Sequence, residues 1–480
     1  MFFGKSTSNK RSSRHGLKES LFRALTCAAF LVALLLSPSR SNAEPTNSFV
    51  YRYADGHIDA DIRSGSLESL LENVAMATGW HVFLDPGAHH AVSAKFKDLP
   101  TGQALHMLLG GVNFVVVPET NGPSRLYVFR TAQNQATRLI RAPAKPAKPI
   151  PNQLVVTLKP GSKTKIEDLA RALGAKIIGR MDKQNSYLLQ FDDDAATQAA
   201  RAQLATNPDV AAVDYNYPVE QPPPVQLSQS TTPNLQLKPK PANGNCQLVV
   251  GLIDTAIQPV PANISSVVQT PLSVVGNYTP DPSQLTHGTA MLETLAQTLA
   301  TTTGGSTSVK ILPVDVYGAN ESTSTFNVAQ GVATAINSGA NVINLSLGST
   351  GDSSVLRNII AQGEQQGVAF YAAAGNTPVT TPTYPAAYPG VVAVTASGPN
   401  GQIADYANRG SFIQMMAPGD NVVGFDGQSY LVEGTSTATA FASGMAAGIA
   451  DTHHACSDQA ESLLKQSLGS TAIPTEAVDQ

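Results

Sequence analysis

Cysteine is scarce, with three in 480 residues, so a fold built on disulfides is excluded. Tryptophan occurs once, and charged residues make up only 14% of the chain, against about 25% in an average soluble protein. That low charge beside 42% hydrophobic residues excludes global disorder, which needs low hydrophobicity and high net charge. It also excludes a coiled coil. There is no excess of positive charge: the formal net charge is -4, which removes the electrostatic footprint of a nucleic-acid binder. At roughly 150 residues per domain, the length predicts about three domains. The charge is unevenly spread. Residues 1–246 carry 27 Lys and Arg against 19 Asp and Glu, and residues 247–480 carry 4 against 16. Two segments with balances of +8 and -12 suit docking on each other.

Long apolar runs are missing too, apart from one near the start. Lys5, Lys10, Arg11, Arg14, Lys18 and Arg23 precede a 13-residue run from Ala24 to Leu36, interrupted by Thr26 and Cys27. That run is short of the ~20 residues needed to cross a bilayer. Ser41-Asn42-Ala43 follows with the small residues that a signal peptidase accepts. Residues 1–43 therefore read as a secretory signal cut after Ala43, with a retained anchor as the alternative. The expected location is the periplasm or the exterior, with no stable transmembrane span in the mature chain. Cys27 leaves with the signal. Cys246 and Cys456 then face an oxidising compartment, as a disulfide pair or as two buried thiols.

Residues 44–136 read as a small α/β domain. Ile58 to Ile62 alternates apolar and polar. Ser66 is placed to cap a helix whose apolar face is Leu67, Leu70, Leu71 and Val74. Strands are expected at Trp80 to Leu84, Ala91 to Phe96, Val112 to Val117 and Leu126 to Phe129, with a second helix from Thr101 and a turn at Asn121-Gly122-Pro123. This pattern resembles the short N-terminal domain of secretins and TonB-dependent receptors. The resemblance implies a docking module, with an envelope protein as partner. Residues 137–151, rich in Ala, Pro and Lys, read as an extended linker.

Residues 152–220 give the order strand, helix, strand, strand, helix, strand, which predicts a ferredoxin-like sandwich. Their final stretch, "LATNPDVAAVDYNYPVE", resembles the end of an inhibitor-type subtilase propeptide. Residues 221–246 form a second linker rich in Pro, Gln, Asn and Ser, suited to proteolytic nicking.

Residues 247–480 alternate strands and helices. Continuous apolar strands at Leu248 to Ile253, Lys310 to Val316, Val342 to Leu347, Val368 to Ala373 and Val391 to Thr395 predict a doubly wound, largely parallel α/β sheet. In such sheets, active groups collect at the carboxyl ends of strands. Asp254 ends a strand in "VVGLIDTA", His287 opens a helix in "THGTAM", Asn376 ends a strand in "YAAAGN" and Ser436 opens a helix in "GTSTATAFASG". The separations are 33, 89 and 60 residues. With "VINLSLG", "YPAAYPGVVAVTA" and "MAPG" also in place, this segment resembles the subtilases, the subtilisin-like serine proteases. The order Asp, His, Ser sets that family apart from other triad hydrolases.

The resemblance implies a triad of Asp254, His287 and Ser436, with Asn376 in the oxyanion hole. It also implies that Ser346-Leu347-Gly348 and Ala373-Ala374-Gly375 pair with a substrate strand. The expected partners are polypeptide substrates and the protein's own propeptide. No cofactor is expected. Calcium, common in this family, has no identifiable ligand loop. The sequence departs from the family at Ala256, where Gly is usual, at Leu292 and Glu293, at Thr437 for Met, and at Ala440-Phe441 for Pro-His. A positive φ at Ala256 would strain it. The reading is an exported serine endopeptidase made as a zymogen. The alternative is an inactive relative that binds extended peptides or assembly partners.

Overall fold

The computed structural model describes residues 48–52, 56–118, 124–140, 142, 146–222, 226–227, 231, 235–242, 247–399 and 401–467. The expected signal segment, the turn expected at Asn121-Gly122-Pro123, and Cys246 lie outside these.

The first domain holds strands β1 (Ser48–Arg52), β2 (His57–Ser66), β3 (His81–Leu84), β4 (Ala91–Pro100), β5 (Asn113–Val117), β6 (Arg125–Phe129) and β7 (Arg138–Ile140). Its helices are α1 (Leu67–Thr78) and α2 (Thr101–Leu108). The Ser66 hydroxyl caps α1 by accepting from the Ser69 amide at 3.0 Å, and Gly79 ends that helix at φ 70°. Two sheets form, ordered β1-β2-β4 and β5-β6-β3-β7, around Leu70, Leu71, Val74, Leu105 and Val128. The linker expected from residue 137 begins later. Arg138–Ile140 adds an antiparallel strand to β3, because Ile140 gives the sheet one more apolar side chain to bury, at 2% exposure.

The second domain contains β8 (Gln153–Leu158), α3 (Ile166–Ala172), β9 (Lys176–Met181), β10 (Ser186–Gln190), α4 (Asp194–Ala205) and β11 (Val210–Tyr215). Its antiparallel sheet runs β11-β8-β10-β9, as a ferredoxin-like sandwich should. Short strands follow: β12 (Pro218–Glu220), β13 (Gln226–Leu227) and β14 (Lys238–Pro239).

The third domain is built on β15 (Val249–Asp254), β16 (Leu272–Ser273), α5 (His287–Thr302), β17 (Ser306–Thr307), β18 (Lys310–Asp315), β19 (Ser322–Ser324), α6 (Thr325–Asn337), β20 (Val342–Leu345), α7 (Ser354–Gln365), β21 (Ala369–Ala373), β22 (Val391–Ser397) and β23 (Met415–Pro418). A hairpin of β24 (Asp420–Phe425) and β25 (Gln428–Glu433) leads to α8 (Thr435–His453) and α9 (Ser457–Ser467). Seven strands pair in parallel in the order β16-β18-β15-β20-β21-β22-β23. One face of this sheet is covered by α5 and α8, and the other by α6 and α7.

Close packing of α5 on α8 needs small residues. A side chain at Gly444 would come within 3.1 Å of the Leu295 carbonyl and the Thr298 Cβ, and one at Gly448 within 2.8 Å of the Thr302 Cβ. This seam matters because His287 opens α5 and Ser436 lies in the first turn of α8.

The second domain shares a core with the third. Val155, Met181, Leu188 and Val219 pack in one cluster with Phe326, Val328 and Leu356. Two of its polar side chains sit at helix starts in the third domain. The Asn216 side-chain oxygen accepts from the Phe326 amide at 3.1 Å and the Thr325 hydroxyl at 3.2 Å, at the start of α6. Asp214 accepts from the Ser354 amide at 3.1 Å and from the Ser354 hydroxyl, at the start of α7. These supply acceptors to amides that have no partner within their own helix. Burial pushes the Asp214 carboxyl up from its usual range despite the Ser354 hydrogen bonds.

The second linker is likewise only partly a linker. Leu237 is 3% exposed within the core of the third domain, and β14 pairs in parallel with β17. The Lys240 ammonium reaches Asp451 at 3.1 Å. Residues 235–242 belong to the third domain because its core accepts Leu237 and its buried carboxylate needs a cation.

Candidate active site

Asp254 is the last residue of β15 and is 2% exposed. The Thr255 amide donates to its Oδ1 at 2.7 Å. His287 opens α5, and the Thr286 hydroxyl before it caps the helix by accepting from the Thr289 amide at 3.3 Å. The two meet directly: His287 Nδ1 lies 2.8 Å from Asp254 Oδ1 and 3.0 Å from Oδ2. A buried carboxylate on Nδ1 fixes the proton there and leaves Nε2 as the basic nitrogen.

The approach depends on Gly288. A Cβ at that position would stand 2.3 Å from the Thr255 carbonyl oxygen. Without one, the Gly288 amide donates to the Thr255 hydroxyl at 2.8 Å, which holds the start of α5 against the end of β15. Ala256 has no positive φ, so replacing the family's usual Gly there brings no backbone strain.

Ser436 is 6% exposed in the first turn of α8. Its hydroxyl donates to the Ser346 carbonyl at 3.1 Å rather than to the imidazole. The Ser346 hydroxyl in turn donates to the Ser436 carbonyl at 2.9 Å and accepts from the Asn344 amide group at 3.0 Å. Asn376 stands at the surface beside this turn. Its Oδ1 accepts from the Thr435 amide at 2.9 Å and the Thr435 hydroxyl at 3.0 Å, so the amide N–H groups face the other way. Gly434, at φ 149°, permits the approach, since a Cβ there would lie 3.0 Å from Asn376 Nδ2. Thr435, which the sequence reading did not single out, fixes the Asn376 side chain through these two hydrogen bonds.

The expected substrate edges differ from each other. Leu347 and Gly348 follow β20, and Gly348 faces the Tyr384 carbonyl across a gap that a Cβ would narrow to 3.3 Å. Ala373 ends β21. The Ala374 amide already donates to Val394 at 2.9 Å, and its carbonyl accepts from Thr383 at 2.6 Å and Asn408 at 2.8 Å. The Gly375 amide donates to the Thr435 hydroxyl at 3.0 Å. Ala374 is thus satisfied within the protein on both sides.

A cleft of about 610 Å³ opens in front of His287. Thr255, Thr286, Gly318 and Asn320 line one part, and Glu220, Gln221 and Pro222 of the second domain line another. The second domain reaches it as a strand, with β12 pairing antiparallel to β19 from Pro218↔Ser324 to Glu220↔Ser322. The Gln221 amide extends the pairing to the Glu321 carbonyl at 2.9 Å, and the Tyr317 hydroxyl donates to the Glu220 carbonyl at 3.2 Å. Burial holds the Tyr317 phenol well above its usual range, with the charges of Asp254 and Glu220 adding to the effect.

Other polar groups lie elsewhere. Asp451, at the opposite end of α8 from Ser436, accepts from the Thr307 hydroxyl at 2.9 Å and the Ser308 hydroxyl at 2.6 Å. Burial raises the Asp451 carboxyl, but hydrogen bonds from Ser308, Thr307 and Lys240 outweigh it and hold the group below its usual range. Cys456 is disulfide-bonded, while Cys246 and Cys27 lie outside the described residues. Glu293 is 7% exposed and accepts from the Gly424 amide at 2.9 Å, which ties α5 to β24.

Residues 246–479 match the subtilase family, and residues 135–216 match the fervidolysin N-terminal prodomain. A thermostable alkaline protease of Halalkalibacterium halodurans is 39% identical over 34% of this chain and 46% of its own length. Subtilisin Savinase of Lederbergia lenta is 35% identical over 39% of this chain and 72% of its own. Among solved structures, the epidermin leader peptide processing serine protease of Staphylococcus aureus aligns with a TM-score of 0.52 at 15% identity, over 65% of this chain and 92% of its own. Fervidolysin from Fervidobacterium pennivorans aligns with a TM-score of 0.51 at 16% identity, over 65% of this chain and 56% of its own. These two likenesses concern the fold alone. The carboxylate–imidazole pair, the strand order of the parallel sheet and the similarity to Savinase converge, and the chain belongs to the subtilase family of serine proteases.

Proposed function

We propose that the protein is a serine endopeptidase made as a zymogen, with residues 152–220 as its inhibitory prodomain. The observation that carries this reading is that His287, paired with Asp254 behind it, and the end of the prodomain line one cleft. In this reading the Ser436 hydroxyl, which now donates to the Ser346 carbonyl, turns to His287 Nε2 when substrate binds. The imidazole then takes the hydroxyl proton as Oγ attacks a peptide carbonyl, and Asp254 stabilises the resulting imidazolium. Asn376 Nδ2 and the Ser436 amide at the start of α8 are the donors for the oxyanion. His287 returns the proton to the leaving amine, and water repeats the sequence on the acyl-enzyme. Leu347 and Gly348 would pair with the substrate main chain opposite β19, where β12 now lies.

The same arrangement limits where maturation occurs. Residues up to Gln221 are paired with the cleft wall, Gln226–Leu227 pairs with β25, and residues from Leu235 are built into the third domain. These contacts favour a cut between Gln221 and Leu235, on either side of the short Gln226–Leu227 pairing. The basic, apolar start of the sequence supports export, to the periplasm or beyond. The test compares the native chain with Ser436→Ala by N-terminal sequencing and a fluorophosphonate probe. The native chain should label and acquire a new N-terminus in that window, and the variant should do neither. A native chain that stays intact and unlabelled would favour the inactive, peptide-binding relative.

A further inference from the structure

Helix α1 turns two carboxylates away from its own domain. Glu68 and Glu72 lie one turn apart, and each is 3% exposed. Carboxylates on a surface helix normally stand in water, and drying one costs several kcal/mol unless it is paired. Both are covered here by the third domain. Glu72 takes the Thr380 amide on Oε1 and the Thr380 hydroxyl on Oε2, each at 2.8 Å. Glu68 Oε1 lies 3.9 Å from Arg409 Nε, and that arginine side chain is 7% exposed. The Arg409 amide donates to the Val379 carbonyl at 3.1 Å, and Asn408 Oδ1 accepts from the Thr377 amide at 2.9 Å. Glu68 and Glu72 therefore grip one loop, which begins at Asn376.

The prodomain holds the third domain elsewhere, at the starts of α6 and α7. Residues 48–220 thus form one continuous chain with two separate attachments. A cut between Gln221 and Leu235 leaves both on the same piece. Loss of either contact is then an intramolecular event, and the tethered partner rebinds at an effective concentration on the order of millimolar.

We propose that the N-terminal domain is a second anchor of the inhibitor, docked through Glu68 and Glu72 on the Thr377–Thr380 loop and Arg409, so that the first cut leaves the enzyme latent. This rests on the protease reading above. Latency ends when the N-terminal domain lets go of the loop or is severed from the prodomain.

The docking is tested without catalysis by hydrogen exchange on full-length Ser436→Ala protein. Adding Glu68→Ala and Glu72→Ala should speed exchange of the Thr380 amide by at least about tenfold, and leave the Phe326 amide, capped by the prodomain, unchanged. Thr380→Val removes one donor from the opposite side and should act in the same direction. Unchanged Thr380 exchange in the double variant overturns the docking. The consequence is read on the active chain. After self-cutting, the two native pieces should elute together with a lag before peptide hydrolysis. The double variant should shorten that lag by at least about tenfold. Pieces that separate at once, or a lag that is unchanged, overturn the second-anchor reading. Absence of any cut or probe labelling would instead count against the protease reading, and the exchange result still decides the docking.

Discussion

Gly288 contributes through what it lacks. Its amide fits under Thr255 because no Cβ intervenes, and His287 is the next residue back. Gly288→Ala should push the start of α5 away from β15 and lengthen the Nδ1–carboxylate contact. Because a displacement of about 1 Å reaches a hundredfold in rate, kcat should fall about a hundredfold or more in a peptide-hydrolysis assay, with KM little changed. Glu293 illustrates a different residue-scale effect. Burial raises its carboxyl to about 6, only partly offset by the Gly424 amide. A folded value above the unfolded one means that its favourable contribution is complete below pH ~4.5 and lost as pH rises through about 6. Glu293→Gln keeps the acceptor and removes the charge. It should raise neutral-pH stability by about 2 kcal/mol and leave stability at pH 4 unchanged, as followed by Tm across that range.

At the scale of elements, the prodomain sheet meets α6 at Gly179, where a Cβ would lie 2.6 Å from the Phe326 ring. Gly179→Val should lift β9 from that helix without touching Asp254, His287 or Ser436. The prodomain should then inhibit more weakly, read as a shorter delay before hydrolysis in the processed protein. Much of this architecture is legible in the sequence. Ser66 marks the start of α1 because a short hydroxyl before an apolar stripe is a capping pattern, and the apolar runs ending in Asp254 and Leu345 read as buried parallel strands. Arg138–Ile140 is not legible, because Pro and Lys around it dominate the composition while only the sheet edge on β3 makes it a strand. Asp254, His287 and Asn376 stand out as polar residues at element ends. Thr435 and Glu72 do not, because their roles come from partners 59 and 308 residues away in sequence, which no local pattern encodes.

Across the whole molecule, the segment from Leu235 to Ala242 is part of the third domain. Leu237→Ala should lower the stability of the processed enzyme by about 2–5 kcal/mol, the range for emptying a buried leucine site, measured by denaturant unfolding after inhibition. Self-cutting itself should proceed, since Leu237 lies in the core beneath α5 and not in the cleft.

The seam of Gly444 and Gly448 against Thr298 and Thr302 acts on this same scale. The imidazole and the hydroxyl ride at the leading ends of two rods that touch far behind them, with hardly a methyl's clearance to spare at Gly448. Any added bulk at that rear contact would splay the rods and widen the gap between His287 and Ser436, several turns away from either group. The spacing of those two side chains is thus gauged by the thickness of residues that lie well behind them.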